Sequence, residues 1–349
     1  MPIEKENYGL ADGQTVYLYL LSNRNGMKMT CLNYGCAITS LFTPDRRGNY
    51  ENVILGFADL AGYQENVPCA GVVVGRVAGR IREAAFELAG TTYRVTANSG
   101  RHHLHGGHPG FSHVVWQSES FQQQDRCGVR FAYTSPDGEA GYPGTLAAQV
   151  TYTLTDTGEL IIEYQAQSDK DTLFVPTNHM YFNLSGGLKR DILQHTLRLN
   201  SSRFTELDAD SLPTGRLLEV TGTVFDFRQG RVLADGTVAD HPQSRLVKNG
   251  YDHAFALDGG AAAQMELCDA ASGRILLVHT DAPCVVVYTG NQLSDTLVFT
   301  EGHSRRYLGI CLETQGFPDA IHHPQFPSVV LPAGQLFRST TTYAFRISQ

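Results

Sequence analysis

Short runs of β-branched and aromatic residues, each cut off by a turn before a helical period can establish itself, restrict this chain more than any other feature. Leu160-Ile161-Ile162-Glu163-Tyr164-Gln165-Ala166 follows the stretch from Leu146 to Leu154 across Asp156-Thr157-Gly158, a hairpin signature. Phe86-Glu87-Leu88 and Thr92-Tyr93-Arg94-Val95 flank Ala89-Gly90 in the same way. Val285-Val286-Val287-Tyr288 and Thr341-Thr342-Tyr343-Ala344-Phe345 add further runs, whereas Ser211-Leu212-Pro213-Thr214-Gly215 reads as a loop. Glycines (35) and prolines (14) recur throughout, and neither a low-complexity linker nor a fixed-period repeat divides the chain. The pattern predicts one all-β domain over residues 1–349, a large antiparallel β-sandwich with few short helices.

A chain of 349 residues buries a core large enough to need no disulfide or metal staple. The net charge of -8, without any basic stripe, argues against nucleic acid and anionic membrane surfaces as partners. No segment approaches the roughly 20 apolar residues that span a bilayer. Met1-Pro2-Ile3-Glu4-Lys5-Glu6 has neither the basic start nor the apolar stretch of a signal peptide. Seven cysteines without a Cys-x-x-Cys pair suit free thiols in a reducing compartment. A cytoplasmic protein is expected.

Five stretches concentrate polar residues where loops or strand ends are expected. In Gly75-Arg76-Val77-Ala78-Gly79-Arg80-Ile81, two arginines could bind an anion or a row of hydroxyls, or make structural ion pairs. His102-His103-Leu104-His105-Gly106-Gly107-His108 is dense in imidazole but lacks the fixed His-x-x-x-His spacing of a helical metal site. One functional histidine before a tight glycine turn is the better reading. Pro176-Thr177-Asn178-His179-Met180-Tyr181 offers a histidine that is either a general acid or a core side chain, and Tyr181 either lines a cleft or packs inside. Asn249-Gly250-Tyr251-Asp252-His253 presents a carboxylate that could instead cap its turn. Leu312-Glu313-Thr314-Gln315-Gly316 places Glu313 at a strand-to-loop boundary, where a buried carboxylate is costly unless it has a function.

Gly-x-Gly-x-x-Gly, phosphate-loop and Gly-x-Ser-x-Gly motifs are all missing, which argues against nucleotide cofactors and serine hydrolase chemistry. Histidine and glutamate remain for proton transfer, with Arg, Asp and further His as hydrogen-bonding groups. That inventory suits a neutral, polyhydroxylated ligand.

Taken in order, the five stretches resemble the aldose 1-epimerase (galactose mutarotase) family. The resemblance runs from about Asn33-Tyr34-Gly35 to Tyr343-Ala344-Phe345 and includes Asp137-Gly138-Glu139-Ala140-Gly141-Tyr142-Pro143-Gly144 and Tyr288-Thr289-Gly290-Asn291. It implies a β-sandwich with an open sugar cleft and neither cofactor nor metal, acting on a small free aldose as a monomer or homodimer. It assigns Glu313 as catalytic base and His179 as catalytic acid. Arg80, His105 and Asp252 bind sugar hydroxyls, with Tyr181 and Gln292 at the cleft. Three positions depart from the family pattern. Gly79 replaces an Asn, Gln292 an aromatic residue, and His322 an Asn. The first two lie on sugar-contacting segments, so they bear on which aldose is preferred rather than on the chemistry.

Mutarotation opens a cyclic hemiacetal, rotates the freed aldehyde and closes it on the other face. Opening removes the proton of the anomeric hydroxyl and delivers one to the ring oxygen; closure reverses both transfers. His179 must therefore be protonated near neutrality, which calls for a neighbouring negative charge. Rival readings are a non-catalytic sugar sensor, an epimerase of a phosphorylated sugar using Arg76 and Arg80, and a lyase or hydrolase built on paired carboxylates.

Overall fold

A computed structural model describes residues 3–260 and 263–348. Nine strands form the largest sheet. Their spatial order is Gln117–Gln122, Arg126–Ser135, Leu146–Thr155, Glu159–Ser168, Leu336–Ile347, Arg274–Thr280, Met265–Asp269, Thr196–Leu199 and Arg231–Val232. Six strands form a second sheet, in the order Tyr181–Phe182, Ile310–Gln315, Cys284–Tyr288, Asp252–Ala256, Arg203–Leu207 and Pro213–Glu219. A five-stranded meander, Ile3–Ala11 to Tyr50–Asn52, makes a third. Every ladder in these three sheets is antiparallel. The α-helices are no longer than five residues. The expected antiparallel β architecture is what the chain adopts.

Side-chain alternation divides the second sheet into a core face and a cleft face. Ile310, Leu312, Val285, Val287 and Phe255 point into the main core, with Leu160, Ile162 and Tyr343 of the large sheet in the same cluster. Thr314 meets Thr341 of the large sheet, oxygen to oxygen, at 2.6 Å. The intervening residues Glu313, Gln315, Val286, Tyr288, Asp252 and Ala254 face a cleft instead.

Both hairpins expected from the sequence form: Leu146–Thr155 pairs with Glu159–Ser168, and Ala85–Leu88 with Thr91–Arg94. Two local expectations fail. Pro213-Thr214-Gly215 opens the strand Pro213–Glu219, where the proline sits on the outer strand and needs no further ladder bond. Glu313 lies inside a strand that continues to Gln315, not at its boundary.

Candidate active site

A cavity of about 540 Å³ opens over the six-stranded sheet. Arg80, His105, His179, Tyr181, Asp252, Gln292 and Glu313, drawn from positions far apart in the chain, all line it.

Glu313 comes from the strand Ile310–Gln315, directly across from Val286 in the ladder. His179 follows the short strand Thr177–Asn178, which pairs with Val73–Val74. Its backbone N–H donates to Val72 O (3.0 Å), its carbonyl accepts from Gly71 N–H (3.0 Å), and Asn178 Nδ2 ties the same segment to Gly71 O at 3.1 Å. Both backbone groups being used, the imidazole has a fixed origin. Its Nε2 lies 3.6 Å from Glu313 Oε1, while Nδ1 lies 3.5 Å from the Cys311 thiol. The Tyr181 ring covers one side at 5.0 Å between centroids, and the His105 ring stands edge-on at 5.3 Å. Tyr181 turns out to be both core and cleft: it is buried, yet it lines the cavity, and its hydroxyl donates to Pro68 O at 2.9 Å.

Arg80 lies in a small two-stranded ribbon, Arg80–Ile81 paired with His103–Leu104, and His105 directly follows its second strand. His105 adopts a left-handed backbone (φ 51°), with Gly106 and Gly107 also at positive φ. A Cβ on Gly106 would stand 1.8 Å from Gly75 O, so only glycine permits this approach. The Gly79 N–H donates to His105 Nδ1 (3.3 Å), and Gly79 O accepts from the His105 N–H (3.0 Å). With Nδ1 accepting, the ring proton sits on Nε2, making neutral His105 a donor there. Gly79 thus keeps the histidine in place although it lacks the amide side chain of the family pattern. A Cβ there would come within 2.8 Å of Pro318 Cβ.

Arg76, the other arginine of that stretch, is not a cleft residue. Its buried guanidinium makes contacts of 2.8–3.3 Å with Ser135 Oγ, Thr172 Oγ1 and the carbonyls of Ser135, Pro136, Pro143 and Gly144. Its donors are spent on holding the loop that carries Gly75. The Asp137–Gly144 segment of the resemblance therefore serves as a cradle for this arginine.

Asp252 begins the strand Asp252–Ala256, across from Tyr288, and faces the cavity rather than capping the preceding turn. Gln292 lies exposed on the rim, its backbone N–H donating to the Tyr288 hydroxyl at 3.1 Å. His322, the third departure, bonds Asp319 through Nδ1 at 2.6 Å. Sequence reading had not singled out Cys69, Thr205, Tyr288 or Gln315 as cleft residues. Tyr288 and Gln315 were legible in principle, each standing two positions from another cleft residue on its own strand.

Burial governs the electrostatics. It pushes the Glu313 carboxyl well above the ordinary carboxylate range, and the Asp252 charge adds to the rise. It lowers His179 to about 4 and His105 well below the ordinary imidazole value. Asp252 is raised to about 6 by burial, with Arg80 opposing the rise. Each member of the His179–Glu313 pair disfavours its own charged form in isolation, so charge on either is best borne next to charge on the other. Glu313 is thus the acidic group on the Nε2 side of the His179 imidazole. The ligand atoms of His179, Cys311 and Glu313 lie within 4.8 Å of one another, close enough to hold an ion. Their short contacts, however, use opposite nitrogens of one imidazole, which suits a proton relay better than shared coordination.

The aldose 1-epimerase family profile matches residues 17–344. Galactose mutarotase of Bos taurus is 40% identical over 325 residues, covering 92% of each chain. Maltose epimerase of Levilactobacillus brevis is 35% identical over 346 residues, 99% of each. The crystal structure of galactose 1-epimerase from Lactobacillus acidophilus superposes with a TM-score of 0.90 at 30% identity, covering 100% of this chain and 99% of that one. The chain belongs to the aldose 1-epimerase family.

Proposed function

We propose that the protein interconverts the α and β anomers of a free aldose, with Glu313 as base and His179 as acid. The observation that carries this reading is the 3.6 Å approach of His179 Nε2 to Glu313 Oε1 inside a buried cleft. In ring opening, Glu313 takes the proton of the anomeric hydroxyl as His179 gives its Nε2 proton to the ring oxygen, and the C1–O5 bond breaks. Rotation about C1–C2 presents the other face of the aldehyde. Closure then returns a proton from Glu313 to the anomeric oxygen, while His179 recovers its own from the O5 hydroxyl. The reactive pair is carboxylate and imidazolium, one proton's transfer away from the neutral pair that burial favours. Sugar hydroxyls donating to the Glu313 carboxylate shift the balance toward the charged form.

Specificity follows from the walls. Arg80 is the one Lys or Arg among the described residues lining the cleft, and two carboxylates share the cavity with it. Such a field favours a neutral ligand and disfavours a phosphorylated one, the more so since Arg76 is spent elsewhere. Arg80, His105 and Asp252 supply donors and an acceptor for the sugar's hydroxyls. Val286 and Ala254 offer an apolar floor between them for its C–H face. We place the protein in the cytoplasm, acting as one domain without cofactor. All seven cysteines are free, and none of the described helices is long and apolar enough to cross a membrane.

The test is polarimetry of freshly dissolved α-D-glucose and α-D-galactose with wild type and Glu313→Gln. Wild type should speed the approach to equilibrium rotation and the variant should not. A variant as fast as wild type would remove Glu313 from the base role, and silence of wild type on every free aldose would sink the reading.

A further inference from the structure

The strand that carries Glu313 ends at Gln315, and shortly beyond it the chain takes a left-handed turn at Asp319 (φ 56°). The Asp319 side chain is fully buried, a placement that a carboxylate can hold only among partners. Oδ1 accepts from the Arg82 backbone N–H at 3.0 Å and from His322 Nδ1 at 2.6 Å. Oδ2 faces Arg82 Nε and His323 Nε2, each 3.6 Å away. His322, which departs from the family pattern, thus belongs to the shell of donors around this one acid.

The Asp319 backbone adds a second hold, its N–H donating to Arg80 O at 3.1 Å. Asp319 therefore grips the chain on both sides of Ile81, at Arg80 O and at the Arg82 N–H, much as a neighbouring strand would. The ribbon it grips has two residue pairs, Arg80 with Leu104 and Ile81 with His103, too few to keep its own shape. Pro318 sits against the same stretch, its Cβ close enough to Gly79 to leave no room for a side chain there. Gly79 is in turn bonded to His105 through both its N–H and its carbonyl.

Asp319 is absent from the lining of the cleft, although its neighbour Pro318 belongs to it. Its position on the segment that follows Glu313 ties the Arg80 ribbon to the proposed base. We infer that Asp319 is a positioning residue, touching no ligand itself but holding Arg80 where a sugar is bound against the acid–base pair. The inference rests on the aldose 1-epimerase reading of the same cleft.

The experiment measures kcat and KM for the free aldose that wild type turns over fastest, in wild type, Asp319→Ala, Arg80→Met and the double variant. Asp319→Ala should raise KM about tenfold, the worth of one hydrogen bond from a charged donor, with kcat changed less than about twofold. On the Arg80→Met background the same substitution should add less than about twofold to KM, because the side chain it positions is gone and the two losses are coupled. Asp319→Asn keeps the size of the side chain but turns an amide N–H against the Arg82 or histidine donors. It should show the same pattern at about threefold, and it decides the matter if the alanine variant folds poorly. Equal rises in KM on both backgrounds, or a lowered Tm with KM unchanged, overturn the inference and leave Asp319 an anchor of the fold alone. Wild type that accelerates no free aldose overturns the underlying function instead, and the inference with it.

Discussion

His179 Nε2 and Glu313 Oε1 lie 3.6 Å apart, each side chain about 5% exposed or less, at the floor of a cleft that a sugar can enter. That separation is just beyond direct hydrogen-bond reach and leaves the two groups facing the same small space, where the proposed chemistry puts the sugar's two reacting oxygens. Removing either leaves the other with no complementary charge. Glu313→Gln and His179→Asn should each lower kcat by about 10²–10⁴-fold with little change in KM. The double variant should be scarcely worse than the poorer single one, because residues that act as a unit are not additive. Steady-state polarimetry on the three variants checks this, and independent multiplicative losses would break the pairing.

The same pair dictates a pH dependence. Burial lowers His179 to about 4 and raises Glu313, so between those limits the pair retains one proton and its composition does not change with pH. kcat should therefore be flat through neutrality and fall on the alkaline side, as the pair loses its proton. Asp252, raised to about 6, titrates inside that plateau. Below about 6 it becomes a neutral acid and stops being a two-oxygen acceptor for sugar hydroxyls. KM should rise there while kcat holds, and Asp252→Asn should show a high KM at every pH without that inflection.

Stability should move opposite to activity at Glu313. A carboxyl whose pKa is raised on folding contributes stability that is full below its unfolded value, near 4.3, and is lost as pH rises through the folded value. Glu313→Gln deletes that loss. The inactive variant should melt above wild type at pH 8, with the difference shrinking towards pH 4. Thermal melts at the two pH values decide it, and equal Tm values at pH 8 would contradict the buried charge.

Much of this site was legible in the sequence because its polar stretches are local, and their order along the chain resembles one family although each alone left a structural reading open. Glu313, His179, Arg80, His105 and Asp252 each sit in a recognisable stretch, and the fold gathers all five around one cavity. What could not be read was contact across distance. Arg76 and Arg80 look alike four residues apart, yet the carbonyls that claim Arg76 come from residues 135–144, brought near only by folding. Glu313, the acidic neighbour of His179, is likewise 134 positions along the chain from it. The strand begun by Pro213 was hidden by turn-like composition, which the sheet edge tolerates.

The two arginines should accordingly fail in different ways. Arg76→Met strips the donors from the Ser135, Pro136, Pro143 and Gly144 carbonyls inside the protein, leaving buried acceptors unpaired. About 3 kcal/mol or more of stability should go with them. Arg80→Met removes a half-exposed cleft donor, raising KM while leaving the urea midpoint near wild type. If Arg76→Met were fully stable and Arg80→Met unfolded, the assignment of anchor and ligand would have to be exchanged.

Phosphorylated sugars should be poor substrates for an electrostatic reason. A dianionic phosphate entering the cleft meets Asp252 and Glu313 with Arg80 as the sole guanidinium among the described lining residues. Like-charge juxtaposition in a partly desolvated site costs several kcal/mol, more than one shared arginine returns. The rim side chains Gln292 and Ser294 are polar but uncharged. Glucose 6-phosphate should therefore show kcat/KM at least about tenfold below glucose, the gap narrowing as salt screens the carboxylates. A phosphorylated hexose turning over as fast as the free one at low ionic strength would show that the cleft recruits a cation from outside its walls.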